Sequence, residues 1–201
     1  PDADLRNPGA VNAERIINQM RNQSVTTSSG SPAFFARLAQ HLLSTNATLP
    51  GIKKLFMGGA RVPAHLLQTL KLVFPEAELS IVYGSTEAEP IAVLESQSGF
   101  KDLVTGELEG RGILVGHPVP DVSIRIEQGE ICVAGPHVNP AYLDDAEATA
   151  SNKIKEILQD GTTRVWHRTG DMGSIDEQNR IWLLGRKGQD VSGFWAYQVE
   201  P

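Results

Sequence analysis

The alternation of helix and strand patterns up to about residue 95 is the feature that most constrains the fold of this chain. Short strand patterns lie at Val25–Thr27, Ile52–Met57, Leu79–Tyr83 and Ile91–Leu94. Amphipathic helix patterns precede or separate the first three strands, at Ala13–Met20, from Ser31-Pro32 and from Pro63. Because parallel strands are joined by helices that cover the sheet, this β-α-β-α-β order predicts a parallel sheet with covering helices.

The second of these helices has the clearest start signal. Ser31 is a good N-cap residue, and Pro32 suits the first helical position. The apolar side chains at helical spacing that follow predict the buried stripe of this helix: Phe35, Leu38, Leu42 and Leu43.

From about residue 105 the pattern changes to short strands separated by glycine and proline. The strand candidates are Gly112–Val115, Val122–Ile126, Glu130–Ala134 and Ile181–Leu184. This spacing predicts a small antiparallel sheet or barrel, so the fold class is mixed α/β. One segment, Asp145–Leu158, has a helical pattern within this β-rich part.

Composition and charge limit the classes of molecule that this chain is expected to bind. The chain has 201 residues and a net charge of −6, which disfavours nucleic acid or an anionic membrane as a partner. No apolar run approaches the roughly 20 residues of a membrane helix, so we expect no transmembrane segment. The single cysteine, Cys132, precludes a disulfide within the chain and fits a reducing cytoplasm.

The segment Ile81–Glu87 combines an apolar strand with a polar tip. Ligands bind at the carboxyl ends of strands in open α/β sheets, so Tyr83-Gly84-Ser85-Thr86-Glu87 indicates a ligand site. Tyr83 is suited to stacking on a flat ring, and Glu87 to binding Mg²⁺ when phosphates supply the other ligands. The alternative interpretation is an ordinary loop.

A second segment, Gly58-Gly59-Ala60, directly follows the strand Ile52–Met57. Neighbouring parallel strands would place it at the same sheet edge as the previous motif. Glycine there lets a ligand approach the backbone closely. The alternative is a turn that leads into a helix.

Two further motifs lie in the β-rich part. Asp171, in Thr169-Gly170-Asp171, is a carboxylate beside a glycine, which can accept hydrogen bonds from two ribose hydroxyls. Arg186, in Gly185-Arg186-Lys187, follows a strand and can bind a sugar or phosphate. The alternatives are a tight turn and a solvated charge. If these motifs form ligand sites, the segments around residues 85 and 171 must converge on one mononucleotide.

Taken together and in this order, the four motifs resemble the adenylate-forming superfamily of acyl-CoA synthetases, luciferases and peptide-synthetase adenylation domains. The resemblance runs from about residue 24 to the end of the chain. It includes Gly129–Pro136 and Tyr142-Leu143, which are similar to the family's Gly-Glu-Leu…Gly-Pro…Gly-Tyr stretch, with Ala141 in place of the usual glycine.

The resemblance implies a role for each site residue. Thr86 and Glu87 would be catalytic, with Thr86 at the phosphate and Glu87 on Mg²⁺. Tyr83 would lie against adenine, and both Asp171 and Arg186 would contact the ribose. The nucleotide-binding residues so implied are Gly59, Ala60, Tyr83, Gly84, Ser85, Thr86, Asp171 and Arg186. The implied substrates are ATP with Mg²⁺ and a small carboxylic acid, with CoA or a carrier protein as an acceptor.

Finer features are similar to one subgroup, the β-lactone synthetases of long-chain olefin biosynthesis. They are Gly30–Ala33, Ala88-Glu89-Pro90 after Glu87, Trp166-His167-Arg168 before Thr169, and Val191 after Gly185–Lys187. This likeness implies a fatty or 3-hydroxy fatty acid as the substrate.

The chain also departs from the family pattern. The Ser/Thr/Gly-rich phosphate loop ending in Pro-Lys-Gly is absent, since no lysine follows Pro32 in the tempting segment Thr26–Pro32. The lysine of the family's mobile C-terminal domain is absent too, and Gly188 occupies the hinge position. The chain begins without Met and looks cut at both ends. We therefore expect an internal fragment that is inactive by itself.

The expected organisation is an α/β subdomain over residues 1–104, a β-rich subdomain over 105–187, and a hinge with the truncated start of a C-terminal domain over 188–201. Two other functions stay open at this point. One is a non-catalytic AMP- or ATP-binding module, and the other is a scaffold with a vestigial site.

Overall fold

The computed structural model describes residues 6–188, which form two compact units. Within this range, the first unit takes in residues 6–82 and 95–100, and the second takes in residues 83–94 and 101–188. The boundary therefore falls inside a strand near Tyr83. The subdomain limits expected from the sequence stay a prediction.

The first unit contains the expected parallel strands and their helices. A 3₁₀ turn at Pro8–Ala10 precedes α1 (Ala13–Asn22), β1 (Thr27–Gly30), α2 (Pro32–Ser44), β2 (Lys54–Met57), α3 (Ala64–Val73) and β3 (Glu78–Ser85), whose end continues into the second unit. β1 and β3 both pair with β2 in parallel. The predicted β-α-β-α-β order is confirmed.

Local signals determine where α2 starts and which side it buries. Ser31 Oγ accepts a hydrogen bond from Phe34 N at 3.2 Å, and Pro32 is the first helical residue, as expected. The helix buries Phe35, Leu38, Ala39 and Leu42. The prediction was wrong for Leu43, which is 50% exposed. At 100° per residue it falls at the edge of the stripe, beyond Ala39.

The second unit is an antiparallel sheet with two helices, the first of which begins within the first unit. Its elements are β4 (Ala88–Glu95), α4 (Ser96–Leu108), β5 (Ile113–Pro118), β6 (Ser123–Glu127), β7 (Glu130–Ala134), α5 (Ala146–Asn152), β8 (Lys153–Ile157), β9 (Thr163–Ile175) and β10 (Ile181–Arg186). The strand order is β4-β5-β10-β9-β7-β6, and β8 also pairs with β9. The mixed α/β fold class is confirmed, with antiparallel pairing as predicted.

The helix expected over Asp145–Leu158 is only half present. Asp145 caps α5, accepting from Ala148 N at 2.8 Å, but the helix ends at Asn152 and β8 begins at once. Ile154 packs on the buried group Cys132, Ala134 and Trp166. Pairing with β9 and this packing outweigh the weak helical pattern.

Tyr83 belongs to an apolar cluster of the second unit. The buried members are Tyr83, Ala88, Ile91, Ala92, Ile113, Val115, Ile131, Val133, Val138 and Ile181. With the side chain 8% exposed, packing holds the phenol in one position. Among the described residues, none of the helices has the length and apolar character needed to cross a membrane.

The contact between α4 and Trp182 gives a test of this packing. A Cβ atom on Gly106 would lie 2.1 Å from the Trp182 ring, which is 1% exposed. Helix propensity favours Ala over Gly by about 1 kcal/mol, but overpacking a buried site costs about 1–3 kcal/mol. Because Trp182 also donates to Asp176 at 2.9 Å and cannot shift freely, we expect Gly106→Ala to lower the free energy of unfolding by about 1–2 kcal/mol. Chemical denaturation measures it.

Gly51→Ala is the matched control, because no heavy atom lies within 4 Å of a Cβ at that position. It should leave the free energy of unfolding nearly unchanged. A stabilised Gly106→Ala variant would show that Trp182 is loosely packed.

Candidate functional site

Three elements of the second unit meet around Asp171. The Tyr83 hydroxyl at the end of β3 donates to Asp171 Oδ2 at 2.8 Å. Arg186 at the end of β10 donates from Nη1 to Asp171 Oδ1 at 2.9 Å and to the Thr169 carbonyl at 3.1 Å. The expected convergence of the segments around residues 85 and 171 is present. The roles of the individual residues stay predictions.

A break in regular strand geometry turns Asp171 towards these partners. Gly170 has φ +73°, a left-handed conformation that favours glycine, and a Cβ there would lie 3.3 Å from the Arg186 guanidinium. β10 pairs Arg186 with Asp171 across a register shift between Leu183 and Gly185. The motif Thr169–Asp171 therefore lies within strand β9 and not in a turn between strands.

Buried hydrogen bonds fix the orientation of Asp171. Thr169 Oγ1 donates to the Ile131 carbonyl at 2.9 Å and accepts from Asp171 N at 3.0 Å. Burial, followed by the nearby charge of Asp171, raises the pKa of Tyr83 far above its ordinary value. The hydrogen bond to Asp171 raises the pKa of Arg186. Tyr83 thus remains a protonated donor and Arg186 a full cation beside the carboxylate.

Glu87 lies in the turn between β3 and β4, next to a different set of groups. Tyr142 Oη donates to Glu87 Oε1 at 2.9 Å, and His167 Nε2 is 3.8 Å from Glu87 Oε2. Burial acts to raise the pKa of Glu87, but the hydrogen bond from Tyr142 and other donors outweighs it, so the net shift is downward. With 26% of its side chain exposed, Glu87 is an accessible, ionised carboxylate.

Such a carboxylate fits Mg²⁺, which binds through one or two protein carboxylates when substrate phosphates complete the coordination. Residues 6–188 contain no cluster of three or more His, Cys, Asp or Glu side chains arranged to hold a metal by themselves. Glu87 stays the residue predicted to hold Mg²⁺. The ion would supply positive charge to phosphate oxygens.

Lys153 and His167 form the buried side of the Glu87 group. They are cross-strand partners in β8 and β9, with 7% and 2% exposure. Lys153 Nζ makes no hydrogen bond among the described residues and lies 5.1 Å from the Tyr142 ring centroid. Burial lowers the pKa of Lys153, and Glu87 opposes this shift. Burial and then Lys153 lower the pKa of His167, so its ring is neutral at pH about 7.

The remaining expected site residues are spread over both units. Gly84 closes the strand tip, where a Cβ would lie 2.9 Å from the Ala88 carbonyl oxygen. Ser85 is half-buried, and Thr86 is exposed. Gly59, with φ +75°, and Ala60 are exposed in the first unit, after β2.

The predicted hinge residue, Gly188, is exposed with φ +78°. The segment 189–201, which includes Val191, lies outside the described residues. Its assignment to a hinge and a C-terminal domain stays a prediction.

Sequence reasoning missed several residues of this site. His167 was named only as part of Trp166-His167-Arg168. It lies in β9, and the long strand Thr163–Ile175 has no simple alternating pattern by which to place it. Lys153 was hidden by the helix prediction for its segment. Tyr142 and Glu130 were noted only as parts of a motif. A charged residue at the start of an apolar run, as at Glu130-Ile131-Cys132, is the pattern that Glu130 offered.

Comparison with known families matches residues 5–143 to the family described as AMP-binding enzyme. The chain belongs to this family. Among curated AMP-binding enzymes, an olefin beta-lactone synthetase from Stenotrophomonas maltophilia is 34% identical, over all of this chain and 40% of the relative. A 4-coumarate–CoA ligase from Glycine max is 32% identical, over 76% of this chain and 52% of the relative. The chain thus spans about half, or less, of these relatives' lengths.

Solved structures of adenylation enzymes share the fold. An O-succinylbenzoate coenzyme A synthetase from Bacillus subtilis, in complex with ATP and magnesium ion, has a TM-score of 0.68 and 24% identity, over 88% of this chain and 34% of that one. NpsA from Klebsiella oxytoca, in complex with 3-hydroxyanthranilyl-AMSN, has a TM-score of 0.68 and 23% identity, over 88% and 36%. Because both identities are below 25%, these two structures show only that the fold is shared.

The buried ammonium predicts a pH dependence of stability. The pKa of Lys153 is lower in the folded protein than its ordinary value of 10.5. Between the two values the unfolded chain binds more protons, so stability rises with pH. Relative to Lys153→Met, the unmodified protein should therefore gain free energy of unfolding as the pH rises through the folded pKa towards 10.5. Denaturant titrations from about pH 7 to about pH 10 measure the difference.

Lys155→Met, at an exposed position of the same strand, is the control. Its free energy of unfolding should change with pH in parallel with that of the unmodified protein over the whole range. If Lys153→Met also runs parallel, the ammonium is not buried in solution.

Proposed function

We propose that the protein containing this chain activates a carboxylic acid as its acyl-adenylate, with ATP and Mg²⁺. A carboxylate oxygen of the acid bonds to the α-phosphorus of ATP, and pyrophosphate leaves with the electrons of the broken P–O bond. The observation that carries the proposal is the contact of Tyr83 and Arg186 with Asp171. Family membership supports it.

The ribose is proposed to bind at Asp171. Tyr83 and Arg186 already donate to both oxygens of this carboxylate, so it is held ready to accept from the hydroxyls of a sugar. Arg186 is charged and 54% exposed in its side chain, which suits a further ribose contact. Tyr83 would lie against adenine. Gly84 and Ser85 would complete the part of the nucleotide site that lies in the second unit, and the nucleotide-binding roles of Gly59 and Ala60 stay predictions.

The phosphates are proposed to bind on the Glu87 side. Thr86 is exposed and offers a hydroxyl to a phosphate oxygen, while Glu87 would hold Mg²⁺. The hydrogen bond from Tyr142 keeps one oxygen of Glu87 in place. Fixed charges of this kind stabilise the transition state because they need no reorganisation during the reaction.

The acid is proposed to be a fatty or 3-hydroxy fatty acid. The 34% identity to an olefin beta-lactone synthetase supports this substrate class. The acceptor of the acyl group would be CoA, a carrier protein or the acid's own 3-hydroxyl. We place the reaction in the cytoplasm, because ATP is abundant there and the lone Cys132 is a buried free thiol.

We also propose that the 201-residue chain alone is inactive. Charge compensation on three phosphates would need the phosphate loop and C-terminal lysine that the resemblance implies and that this sequence lacks. Loss of one such contact costs about 3 kcal/mol, or 100- to 1000-fold in rate. The three-part organisation expected above, with limits near residues 104 and 187, goes with this proposal.

Asp171→Asn in the full-length protein tests the nucleotide site. The amide removes the charge that accepts from ribose hydroxyls, so AMP should bind about 10- to 100-fold more weakly in isothermal titration calorimetry. Asp160→Asn, at an exposed turn between β8 and β9, should change nothing. Unchanged AMP affinity in Asp171→Asn would refute the site and favour a scaffold.

Acid-dependent ATP–pyrophosphate exchange tests the reaction. The full-length protein should exchange pyrophosphate with fatty or 3-hydroxy fatty acids, and this chain alone should not. AMP binding by the full-length protein without exchange for any acid would indicate a non-catalytic nucleotide-binding module. Exchange by the isolated chain would contradict its proposed inactivity.

A further inference from the structure

Glu130 is a buried carboxylate with no role in the site as described so far. It begins β7 and is 3% exposed. Its Oε1 accepts from Gly170 N at 3.1 Å, and its Oε2 accepts from Arg168 Nη1 at 3.1 Å and from Lys187 Nζ at 2.8 Å. Both oxygens therefore accept hydrogen bonds.

Two of the three partners of Glu130 are immediate neighbours of the proposed ribose residues. Gly170 precedes Asp171, and Lys187 follows Arg186. A backbone hydrogen bond from Lys187 N to the Gly170 carbonyl, at 2.8 Å, joins the same two strands. One carboxylate thus anchors both β9 and β10 next to their functional side chains.

The charge of Glu130 is needed for this arrangement. Burial acts to raise the pKa of Glu130, but the hydrogen bonds from Lys187 and Arg168 outweigh it, and the net shift is downward. The group is ionised and compensated by two cations. A buried charge that loses its compensation costs several kcal/mol, whereas a compensated one holds its partners in a defined geometry.

We propose that Glu130 is a positioning residue of the nucleotide site, which holds Gly170 and Lys187 so that Asp171 and Arg186 face the ribose together. This inference rests on the proposed function. It extends that function, since Glu130 itself would not touch the nucleotide. Glu130 would thereby increase the preference of the site for nucleotides that carry ribose hydroxyls.

Glu130→Gln is the test variant, in the full-length protein. The amide keeps the side chain's shape and one carbonyl oxygen, but it turns an NH₂ group or a neutral oxygen towards Arg168 and Lys187. The backbone at Gly170 should become less well held, and Asp171 should sample other orientations. Interactions with adenine and phosphate should change little, because their proposed residues do not contact Glu130.

The measurement compares AMP with 2′,3′-dideoxy-AMP by isothermal titration calorimetry. The unmodified protein should prefer AMP, because only AMP offers hydroxyls to Asp171. In Glu130→Gln this preference should fall about three- to tenfold. Glu127→Gln is the matched control, because Glu127 binds Arg168 at 3.0 Å and Arg125 at 2.6 Å but lies outside the Gly170 and Lys187 contacts.

A double-mutant cycle with Asp171→Asn separates positioning from general stabilisation. If Glu130 acts through Asp171, Glu130→Gln should not lower the preference further in the Asp171→Asn background. Equal weakening of AMP and dideoxy-AMP, or an unchanged preference, would overturn the proposal. If Glu130→Gln does not fold, Lys187→Met decides in its place: an unchanged preference in that variant overturns the inference.

Failure of the proposed function would look different. The unmodified protein would then bind both nucleotides equally, and Asp171→Asn would have no effect. A preference for AMP that depends on Asp171 but not on Glu130 or Lys187 would leave the proposed function intact and refute the positioning role alone.

Discussion

The hydrogen bond from Tyr83 to Asp171 is the interaction on which the candidate site depends. It joins the end of β3 to the middle of β9, at 2.8 Å, across 88 residues of sequence. The Tyr83 hydroxyl can donate this hydrogen bond because the apolar cluster holds the phenol ring in place. The Asp171 carboxylate can accept it because Gly170 and Thr169 turn the carboxylate inward. A long-range polar contact of this kind is useful only when both ends are fixed by packing.

The parts of the fold that follow from local physics were predictable. The N-cap at Ser31 and the alternation of helices and strands gave β1 to β3 and their helices, because period and capping act over a few residues. The structure of the segment after Asp145 was not predictable, since Ile154 is placed by cross-strand pairing and by packing on Trp166. Strand β9, with its kink, likewise depends on partners distant in sequence.

The same division applies to the site. Tyr83, Glu87 and Arg186 were predicted because their residue types follow apolar strand patterns, and Asp171 because a carboxylate stands beside a glycine. The residues that support them, Lys153, His167 and Glu130, were not predicted. They act on these groups through burial and cross-strand contacts. Burial of a charge cannot be read from its neighbours in sequence. It requires knowing that β7, β8 and β9 are adjacent.

Three carboxylates near the site have different environments, and these differences suggest how they divide the work. The charge of Glu130 is compensated by Arg168 and Lys187, and that of Asp171 by Arg186. Glu87 is paired with a hydroxyl and with the neutral ring of His167. Its negative charge is thus the least neutralised by direct contacts, while it remains accessible. A divalent cation gains most from such a carboxylate, because binding it displaces no existing ion pair. These environments support the proposal that Glu87 holds the metal and Asp171 accepts from the ribose hydroxyls.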